Sequence, residues 1–496
     1  MLRNYSLLLA LFLISCTETN YHVKKFQKSR VIVLTDMLNE PDDSQTMVRL
    51  LIYANKFDIE GLIAVSSCHQ FAGKKDLIED RNNVHPEEIV KRIKAYSKVL
   101  PKLREHENNW PSEAFLLKKV GSGPAGYGMS DVGKGKSTSG SKLITQALLK
   151  EDDRPLYVCI NAGANCLAQA LIDLHEIADS STFRNCIKKL RVYDDAGQDD
   201  AGAWIANTYP QIHYQRSQLQ VFNFMSEKGP VTWDSTLTPG EGQHKWAAKH
   251  VQKKHGPLGE LYPTRFKWKQ PGIYHTLEGG GTSTWIGHVN HGLYVPEEMT
   301  WGGWGGRFEN EKQKNILADQ LKWADMVETE NPFKPFYMYP QAKDNWTDPL
   351  TGIHYNDIGT PIYRWRKAYQ NDFQARMDWC IEEYENANHN PVAAFGHDKS
   401  DGIIFITASP KERIELNAAL SSDPDNDSLN FRWFIYPEAG SYRNEITIKD
   451  SSKPLTYISI PEDAINKQIH VILEVSDNNP IVSLFDYRRI VINTKN

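Results

Sequence analysis

The sequence predicts an α/β part with an open parallel sheet and helices on both faces, followed by an all-β sandwich. Between residues 30 and 215, short apolar runs alternate with segments of helical periodicity, a pattern typical of parallel sheets. From about residue 391 the apolar side chains recur at every second position, as in Leu429 to Ile435. Short alternating strands with turn residues between them predict a sandwich of about 100 residues.

The N-terminus predicts a targeting segment. The apolar run Leu7–Ile14 is too short to remain as a membrane-spanning helix, and Leu13-Ile14-Ser15-Cys16 resembles the cleavage box of bacterial lipoproteins. We therefore expect a signal peptide at residues 1–15, lipidation of Cys16, and a tether over 16–29. The protein would then be lipid-anchored in the bacterial cell envelope, on its periplasmic face or at the cell surface. The alternative is an ordinary signal peptide that happens to contain a cysteine.

Length, charge and composition limit the functions and the domain organisation that the sequence allows. The chain has 496 residues and a net charge of −5, which does not favour binding to nucleic acid. It holds 13 Trp, a residue that stacks on sugars or partners but also packs well in cores. A polar, proline-containing break at 386–391 predicts a boundary between a domain at 30–388 and one at 391–496.

The elements follow in order. A buried strand at Val31–Leu34 precedes a helix that opens at Asp42 or Ser44 and runs to about Ala54. Further strands are predicted at Ile59–Val65, Leu156–Ile160 and Leu190–Tyr193, and further helices at Pro86–Leu103, Ser141–Leu149, Asn165–Glu176 and Asp372–Asn386. The glycine-rich segment 121–140 predicts a long loop, and loops of that length are often functional. Residues 216–360 predict insertions and loops.

Several carboxylates gather where the first strand ends: Asp36, Glu40, Asp42 and Asp43. Open α/β sheets place their sites at the carboxyl ends of strands. Carboxylates this close repel one another unless a proton or cation joins them, and oxygen ligands suit Ca²⁺. The alternative is a capped helix with solvated acids in its first turn.

Other predicted strands also end in polar residues, at Asn161 and at Asp194-Asp195. In a parallel sheet these would face the same crevice as Asp36. Asn165, which follows in a strand-to-helix turn, would donate an oxygen to a metal or ligand, or simply cap the helix. The acidic loop 194–200 would contact sugar hydroxyls, or form a solvated turn.

Two segments rich in Gly and Trp follow, around Glu278 and from Trp301 to Trp304. Glycines let the backbone approach a ligand and indole faces stack on sugars; the alternative is a loop packed by its own aromatic rings. A general acid could come from one of the nearby histidines, His275, His288 and His291. In the β part, the acids of 421–427 would form either a Ca²⁺ loop or a plain turn.

Together these motifs resemble a bacterial family of cellulose-binding proteins that have a nucleoside hydrolase-like domain and a small C-terminal β-domain. The similarity covers about residues 30–496. It rests on Thr35-Asp36, Glu40-Pro-Asp-Asp43, Tyr127-Gly-Met129, Gly140-Ser-Lys142, Gly163–Ala170, Gln198-Asp-Asp200, Glu278-Gly279, Trp301–Arg307 and Arg364–Trp379.

The resemblance implies a nucleoside hydrolase-like fold and a set of roles. Asp36 would be metal ligand and general base, and Asp43 a second ligand. Asp42 would contact a substrate hydroxyl, Asn165 would lend a backbone carbonyl to the metal, and Asp372 would close the metal shell. The implied reaction is attack by an activated water on an anomeric carbon, with Ca²⁺ as cofactor.

This chain departs from the nucleoside hydrolase pattern at several positions. Residues 37–41 add two residues and no glycine between the aspartates, Leu34 replaces an acid, and Ser66-Ser-Cys68 lacks the expected Gly-Asn. Asn371 stands where some of these enzymes have a histidine that acts as a general acid. We therefore expect a Ca²⁺-dependent hydrolase of glycosyl bonds in an extracytoplasmic glycan or glycoside.

The alternative is a non-catalytic, polysaccharide-binding lipoprotein that uses Glu278, Trp301 and Trp304. A scaffold that presents a protein partner is a third possibility.

Overall fold

The computed structural model describes residues 20–38, 41–71, 84–218, 229–263, 279–289, 292–318, 321 and 327–495. The strands in chain order are β1 (Tyr21–Lys24), β2 (Arg30–Thr35), β3 (Asp58–Ala64), β4 (Val120–Ser122), β5 (Leu156–Ile160), β6 (Leu190–Asp194), β7 (His213–Arg216), β8 (Gln313–Lys314), β9 (Tyr337–Pro340), β10 (Asp344–Thr347), β11 (His354–Asp357), β12 (Ile403–Ala408), β13 (Arg413–Asn417), β14 (Leu429–Ile435), β15 (Leu455–Ser459), β16 (Gln468–Asp477) and β17 (Phe485–Thr494).

The helices are α1 (Pro41–Leu51), α2 (Cys68–Phe71), α3 (Pro86–His106), α4 (Glu113–Leu117), α5 (Ser139–Leu149), α6 (Asn165–Ile177), α7 (Ser180–Lys189), α8 (Ala201–Thr208), α9 (Pro239–Ala247), α10 (Gly256–Glu260), α11 (Ser283–Ile286), α12 (Thr360–Tyr363) and α13 (Arg366–Asp378). Within the described ranges, no helix combines the length and apolar character needed to cross a bilayer.

An eight-stranded sheet organises the described part of the first domain. Its strand order is β4-β3-β2-β5-β6-β7-β9-β8, and all neighbours are parallel except β8 and β9. Alternate residues of β2 enter different cores, because successive side chains point to opposite faces of a sheet. Val31 and Val33 pack with α1, α3 and α13, whereas Ile32 and Leu34 pack with α5, α6 and α8. The predicted parallel sheet with helices on both faces is confirmed.

Several elements differ from the prediction. β4 overlaps the segment 121–140 that was predicted as a loop, and β8–β11 lie within 216–360, which was predicted as insertions and loops. The helix expected at Asp372–Asn386 spans Arg366–Asp378. Its first turns bury polar side chains, among them Arg366 and Gln370, which hide the apolar periodicity. Strand β7 was not predicted, since its sequence His-Tyr-Gln-Arg is polar. Arg216 is nevertheless fully buried there, because it pairs with Asp194 and Glu330.

The C-terminal part is a sandwich of two unequal sheets. One has the order β1-β12-β17-β16-β14, and the other pairs β13 with β15. Apolar side chains from both sheets share one core, which contains Ile404, Leu416, Ile458, Val471 and Ile490. The predicted β-sandwich is confirmed.

Strand β1 comes from the N-terminal side of the first domain. Tyr21–Lys24, inside the segment predicted as a tether, pairs antiparallel with Ile403–Ile406 of β12. The chain therefore enters the sandwich before it enters the large sheet. Cys16 lies outside the described residues.

Candidate functional site

The acidic residues of the first βα unit lie at the carboxyl end of β2, in the middle of the large sheet. β2 ends at Thr35, Asp36 follows, and α1 begins at Pro41, which suits the first position of a helix. Asp42 and Asp43 occupy the first turn of α1, where backbone N–H groups favour negative charge. Each of the three aspartates is no more than 4% exposed. The sequence thus places three carboxylates in a buried crevice.

Asp36 and Asp43 are held side by side. The Asp36 backbone N–H donates to Asp43 Oδ1 at 3.2 Å, and the Thr35 hydroxyl donates to the same oxygen. Ser67 Oγ, at the end of β3, donates to Asp36 Oδ2 at 2.5 Å. Burial raises the pKa of Asp43 well above its ordinary value, and the charges of Asp36 and Asp42 raise it further. The pair is therefore stable only with a shared proton or a cation.

One wall of the crevice is built around Asn165. Its Nδ2 donates to Ser66 Oγ at 3.0 Å and to the Gly126 carbonyl at 2.9 Å, which ties the glycine-rich loop to the ends of β3 and β5. Its backbone N–H donates to Asp199 Oδ2 at 3.0 Å. Burial, reinforced by the charge of Asp200, raises the pKa of Asp199 to about 8. Asn165 binds Ser66, and Asp36 binds Ser67. Because the two serines are neighbours in the chain, Asn165 and Asp36 lie on either side of the same part of the crevice.

The floor of the crevice lies at the ends of β5 and β6. Thr284 Oγ1 donates to Asn161 Oδ1 at 2.7 Å, and Gln198 Nε2 donates to the Asn161 carbonyl at 2.7 Å. Ser217 Oγ donates to Asp195 Oδ1 at 2.9 Å. Burial raises the pKa of Asp195 well above its ordinary value despite this bond, and the charges of Asp194 and Asp42 add to the effect. Asp195 is thus a second carboxyl that favours the protonated form.

Polar atoms that follow two of these strands, β5 and β6, are buried without a hydrogen-bond partner among the described residues. They are Asn161 Nδ2, Asn165 Oδ1, Asp195 Oδ2 and Gln198 Oε1. A buried polar atom without a partner costs roughly 1–3 kcal/mol, so native structures rarely keep several in one place. A site that binds water, an ion or a hydroxyl-rich ligand would satisfy them.

The donor set fits a hard cation only in part. In the ranges that the structure covers, no group of three or more His, Cys, Asp or Glu side chains is arranged to hold a metal ion. Asp36 and Asp43 provide two carboxylates, and Ca²⁺ takes six to eight oxygens. The remaining ligands would have to be amide or backbone carbonyls, waters and substrate hydroxyls, which this oxygen-rich crevice can supply.

Comparison with known protein families shows which family the chain belongs to. A family described as the nucleoside hydrolase-like domain of cellulose-binding Sde182 matches residues 30–308, more than half of the chain. The chain belongs to this family. The C-terminal domain of cellulose-binding protein Sde0182 matches residues 413–494.

A solved structure gives the same result. It is described as a nucleoside hydrolase-related hypothetical protein from Saccharophagus degradans that is associated with carbohydrate metabolism. The two proteins are 34% identical with a TM-score of 0.77, and the match covers 95% of this chain and 100% of that one. No protein with curated annotation matches. The matches indicate a carbohydrate-related function.

For this Sde182 family member, the structure does not bring Asp372 to the acidic crevice. Asp372 accepts hydrogen bonds from Tyr53 at 2.5 Å and Asn390 at 3.0 Å, and pairs with Arg376 at 3.0 Å. Tyr53 follows the last turn of α1, whereas Asp43 lies in its first turn. At about 1.5 Å per residue, roughly 12 Å of helix separates these ends. Asp372 stabilises the far end of α1 instead.

Trp301 and Trp304 are packed inside the protein, at 7% and 3% exposure. Trp301 meets His470 edge-on at 4.7 Å between ring centroids, and Arg489 donates to its carbonyl at 3.0 Å. Trp304 packs against Tyr369. Both rings thus join the first domain to the sandwich or to α13, and neither presents a free face to a sugar.

The remaining candidates separate into two groups. Glu278, His275 and His291 lie outside the described residues, although Gly279, which follows Glu278, sits against the Asp42 carbonyl at the start of α1. His288 is described and lies beside Ser29, at the amino end of β2, away from the acids. Burial lowers the pKa of His288 to about 3, so it is neutral.

The acidic loop of the sandwich forms a hydrogen-bonded turn. Asp423 Oδ1 accepts from the backbone N–H groups of Asp425 and Asp427, at 2.8 and 3.0 Å. Asp425 in turn binds His389 at 3.0 Å. This arrangement matches the turn that the sequence left open as an alternative to a Ca²⁺ loop.

Sequence reasoning gave Ser67, Gln198 and Thr284 no role in orienting the crevice, although Ser67 and Gln198 lie in segments that it singled out. Ser67 had a usable signal, since it is the second residue after a predicted strand. Thr284 reaches Asn161 across 123 positions, and nothing in the local pattern indicates that contact.

Proposed function

We propose that the protein hydrolyses glycosyl bonds in an extracytoplasmic glycan or glycoside, with Ca²⁺ as cofactor. The observation that supports this most is the crevice at the end of β2, which combines three buried aspartates with polar atoms that no described residue satisfies. The hydroxyl-rich face of a sugar can form hydrogen bonds with those polar atoms. Polar groups with a purely structural role would already have partners within the protein.

Asp36 is the proposed general base. Ser67 donates to one of its oxygens, which stabilises the ionised carboxylate and fixes its orientation. The other oxygen would accept a proton from the water that attacks the anomeric carbon, while the bond to the leaving group breaks. Asp43 and Asp36 would hold Ca²⁺, which neutralises the carboxylates and makes a bound water more acidic.

Asp195 and Asp42 would serve the substrate. Burial raises the pKa of Asp195 well above its ordinary value, and in the protonated form its Oδ2 would donate a hydrogen bond to a sugar hydroxyl or to the leaving oxygen. Asp42, in the first turn of α1, would accept from another hydroxyl. The departure at Ser66-Ser67 favours a glycan over a nucleoside, because the Gly-Asn that nucleoside hydrolases use to contact ribose is absent, and Ser66 and Ser67 instead bind Asn165, Gly126 and Asp36.

The experiment is sugar release across a panel of glycans, glycosides and nucleosides, with Ca²⁺ or with EDTA. Asp36→Asn should lower the rate at least 100-fold, whereas the exposed Glu151→Gln should leave it unchanged. Circular dichroism would show that both variants fold. Equal, nonzero rates after complete removal of metal, or full activity in Asp36→Asn, would overturn the mechanism.

A non-catalytic polysaccharide-binding lipoprotein is the second candidate, favoured by the cellulose-binding description of the family. Binding assays distinguish the two candidates. Retention on insoluble cellulose without release from any panel member would support this candidate and exclude the first.

A further inference from the structure

A groove of about 320 Å³ runs between the two domains, on the side of the hairpin β10–β11. Its lining comes from the hairpin, from the start of α13 and from strands β14, β16 and β17 of the sandwich. None of these elements contributes to the acidic crevice. The volume lies within the range of small-ligand sites, which begins at about 300 Å³.

The hairpin wall is aromatic and aliphatic. Trp346 is half-buried and stacks on Tyr355 with ring centroids 5.7 Å apart. Asp348 accepts hydrogen bonds from the Leu350 backbone at 3.0 Å and from Thr351 at 2.7 Å, which fixes the loop. The loop presents Leu350 at the mouth of the groove with 72% of its surface exposed. An ordered loop with so exposed a leucine provides an apolar contact for a ligand.

The opposite wall is polar and belongs to the sandwich. Arg432 on β14 pairs with Glu474 on β16 at 2.8 Å, and the arginine side chain remains 34% exposed. Asn430 and Ser476 extend this row along the same two strands. The wall therefore offers guanidinium, carboxylate, amide and hydroxyl groups within a short distance.

Among the described residues that line the groove, the cations are Arg364, Lys367 and Arg432, the carboxylates are Asp348 and Glu474, and both arginines are paired. Arg432 is paired with Glu474, and Arg364 is paired with Asp344 at 2.8 Å. Paired charges donate and accept hydrogen bonds without attracting a strongly charged ligand. A sugar ring has this chemistry, because its C–H face packs on apolar surfaces while its hydroxyls bind planar polar groups.

We propose that this groove is a second, non-catalytic site that holds a neutral polysaccharide chain, with a glucan as the probe. The sandwich then supplies half of a binding surface that neither domain forms alone. The site does not depend on the proposed hydrolase chemistry, because it shares no residue with the crevice.

The test is affinity electrophoresis and calorimetry of the full chain with soluble β-glucan and cellohexaose. Leu350→Asp places a charge at the groove mouth, and Arg432→Ala removes the polar wall. Each should weaken binding at least fivefold. Ile353→Asp is the matched control, since it lies on the same hairpin, is 52% exposed and does not line the groove.

Three outcomes would overturn the proposal. One is unchanged glucan binding in both groove variants. Another is an equal loss of binding in Ile353→Asp. The third is binding of an anionic polysaccharide or a peptide in the groove with no detectable glucan binding. Failure of sugar release alone would leave this result untouched, which separates the two proposals.

Discussion

The paired carboxylates Asp36 and Asp43 predict that Ca²⁺ stabilises the protein and that Asp43→Asn removes the effect. Without a cation, burial and mutual repulsion penalise the ionised pair. A ligand present at 100 times its Kd stabilises the native state by about 2.7 kcal/mol, as with 1 mM Ca²⁺ and a Kd of ~10 µM. At an unfolding entropy of about 2.1 cal/mol/K per residue, a change of that size shifts Tm by about 3–4 °C in a domain that spans residues 30–388.

The substitution Asp43→Asn is chosen to keep the local hydrogen bonds. The amide oxygen of the new side chain would still accept from the Thr35 hydroxyl and the Asp36 backbone N–H, and its amide nitrogen would donate to the Asp36 carboxylate. In EDTA the variant should therefore melt at or above the wild-type temperature at about pH 7.5, because the repulsion between the two carboxylates is gone. Adding 1 mM Ca²⁺ should raise the wild-type Tm by about 3–4 °C and the variant's by less than about 1 °C.

Differential scanning calorimetry with EDTA, Ca²⁺ and Mg²⁺ provides the measurement, and Glu151→Gln serves as the control. A wild-type Tm that does not respond to Ca²⁺ would refute the metal assignment. An Asp43→Asn variant that melts well below the wild type in EDTA would refute the electrostatic argument, because it would mean that the ionised pair stabilises the fold.

Three further predictions concern stability and anchoring. Arg216→Met should cost about 3–5 kcal/mol in urea unfolding, since it leaves Asp194 and Glu330 buried without their cation; a loss under about 1 kcal/mol would contradict this. The pKa of Asp199 is raised in the folded state, so its contribution is present below about pH 4 and is lost as pH rises towards 8. Metal-free stability should fall by roughly 1.4 kcal/mol per pH unit from this group between about pH 5 and 7, and Asp199→Asn should flatten the profile. Cys16→Ala should abolish incorporation of radiolabelled palmitate and release the protein from the membrane fraction, and persistent labelling would exclude this anchor.

The sequence pattern predicted the centre of the large sheet well. β2, β3 and β5 are buried on both faces and therefore appear as continuous apolar runs. The carboxylates at the end of β2 were also found, since strand ends follow directly from strand positions. These features depend on local order in the chain.

The features that were missed depend on distant partners. In strand β7 the charge of Arg216 is compensated by Asp194 and by Glu330, which is 114 positions away. Asp372 looked like a ligand, but Tyr53 and Arg376 hold it at the other end of α1. Trp301 suggested a sugar platform, and only the folded sandwich shows that Arg489 and His470 cover it.

The pairing of β1 with β12 determines which part of the molecule would meet the membrane. If Cys16 carries the lipid, five steps of chain lead to Tyr21, and at ~3.3–3.6 Å per residue they reach less than about 20 Å. The edge of the sandwich formed by β1 would then lie within that distance of the bilayer. If a force were applied to the protein from outside, the hydrogen bonds between β1 and β12 would bear it before strand β2 did. The sandwich would thus be the part through which the protein is attached mechanically to its membrane.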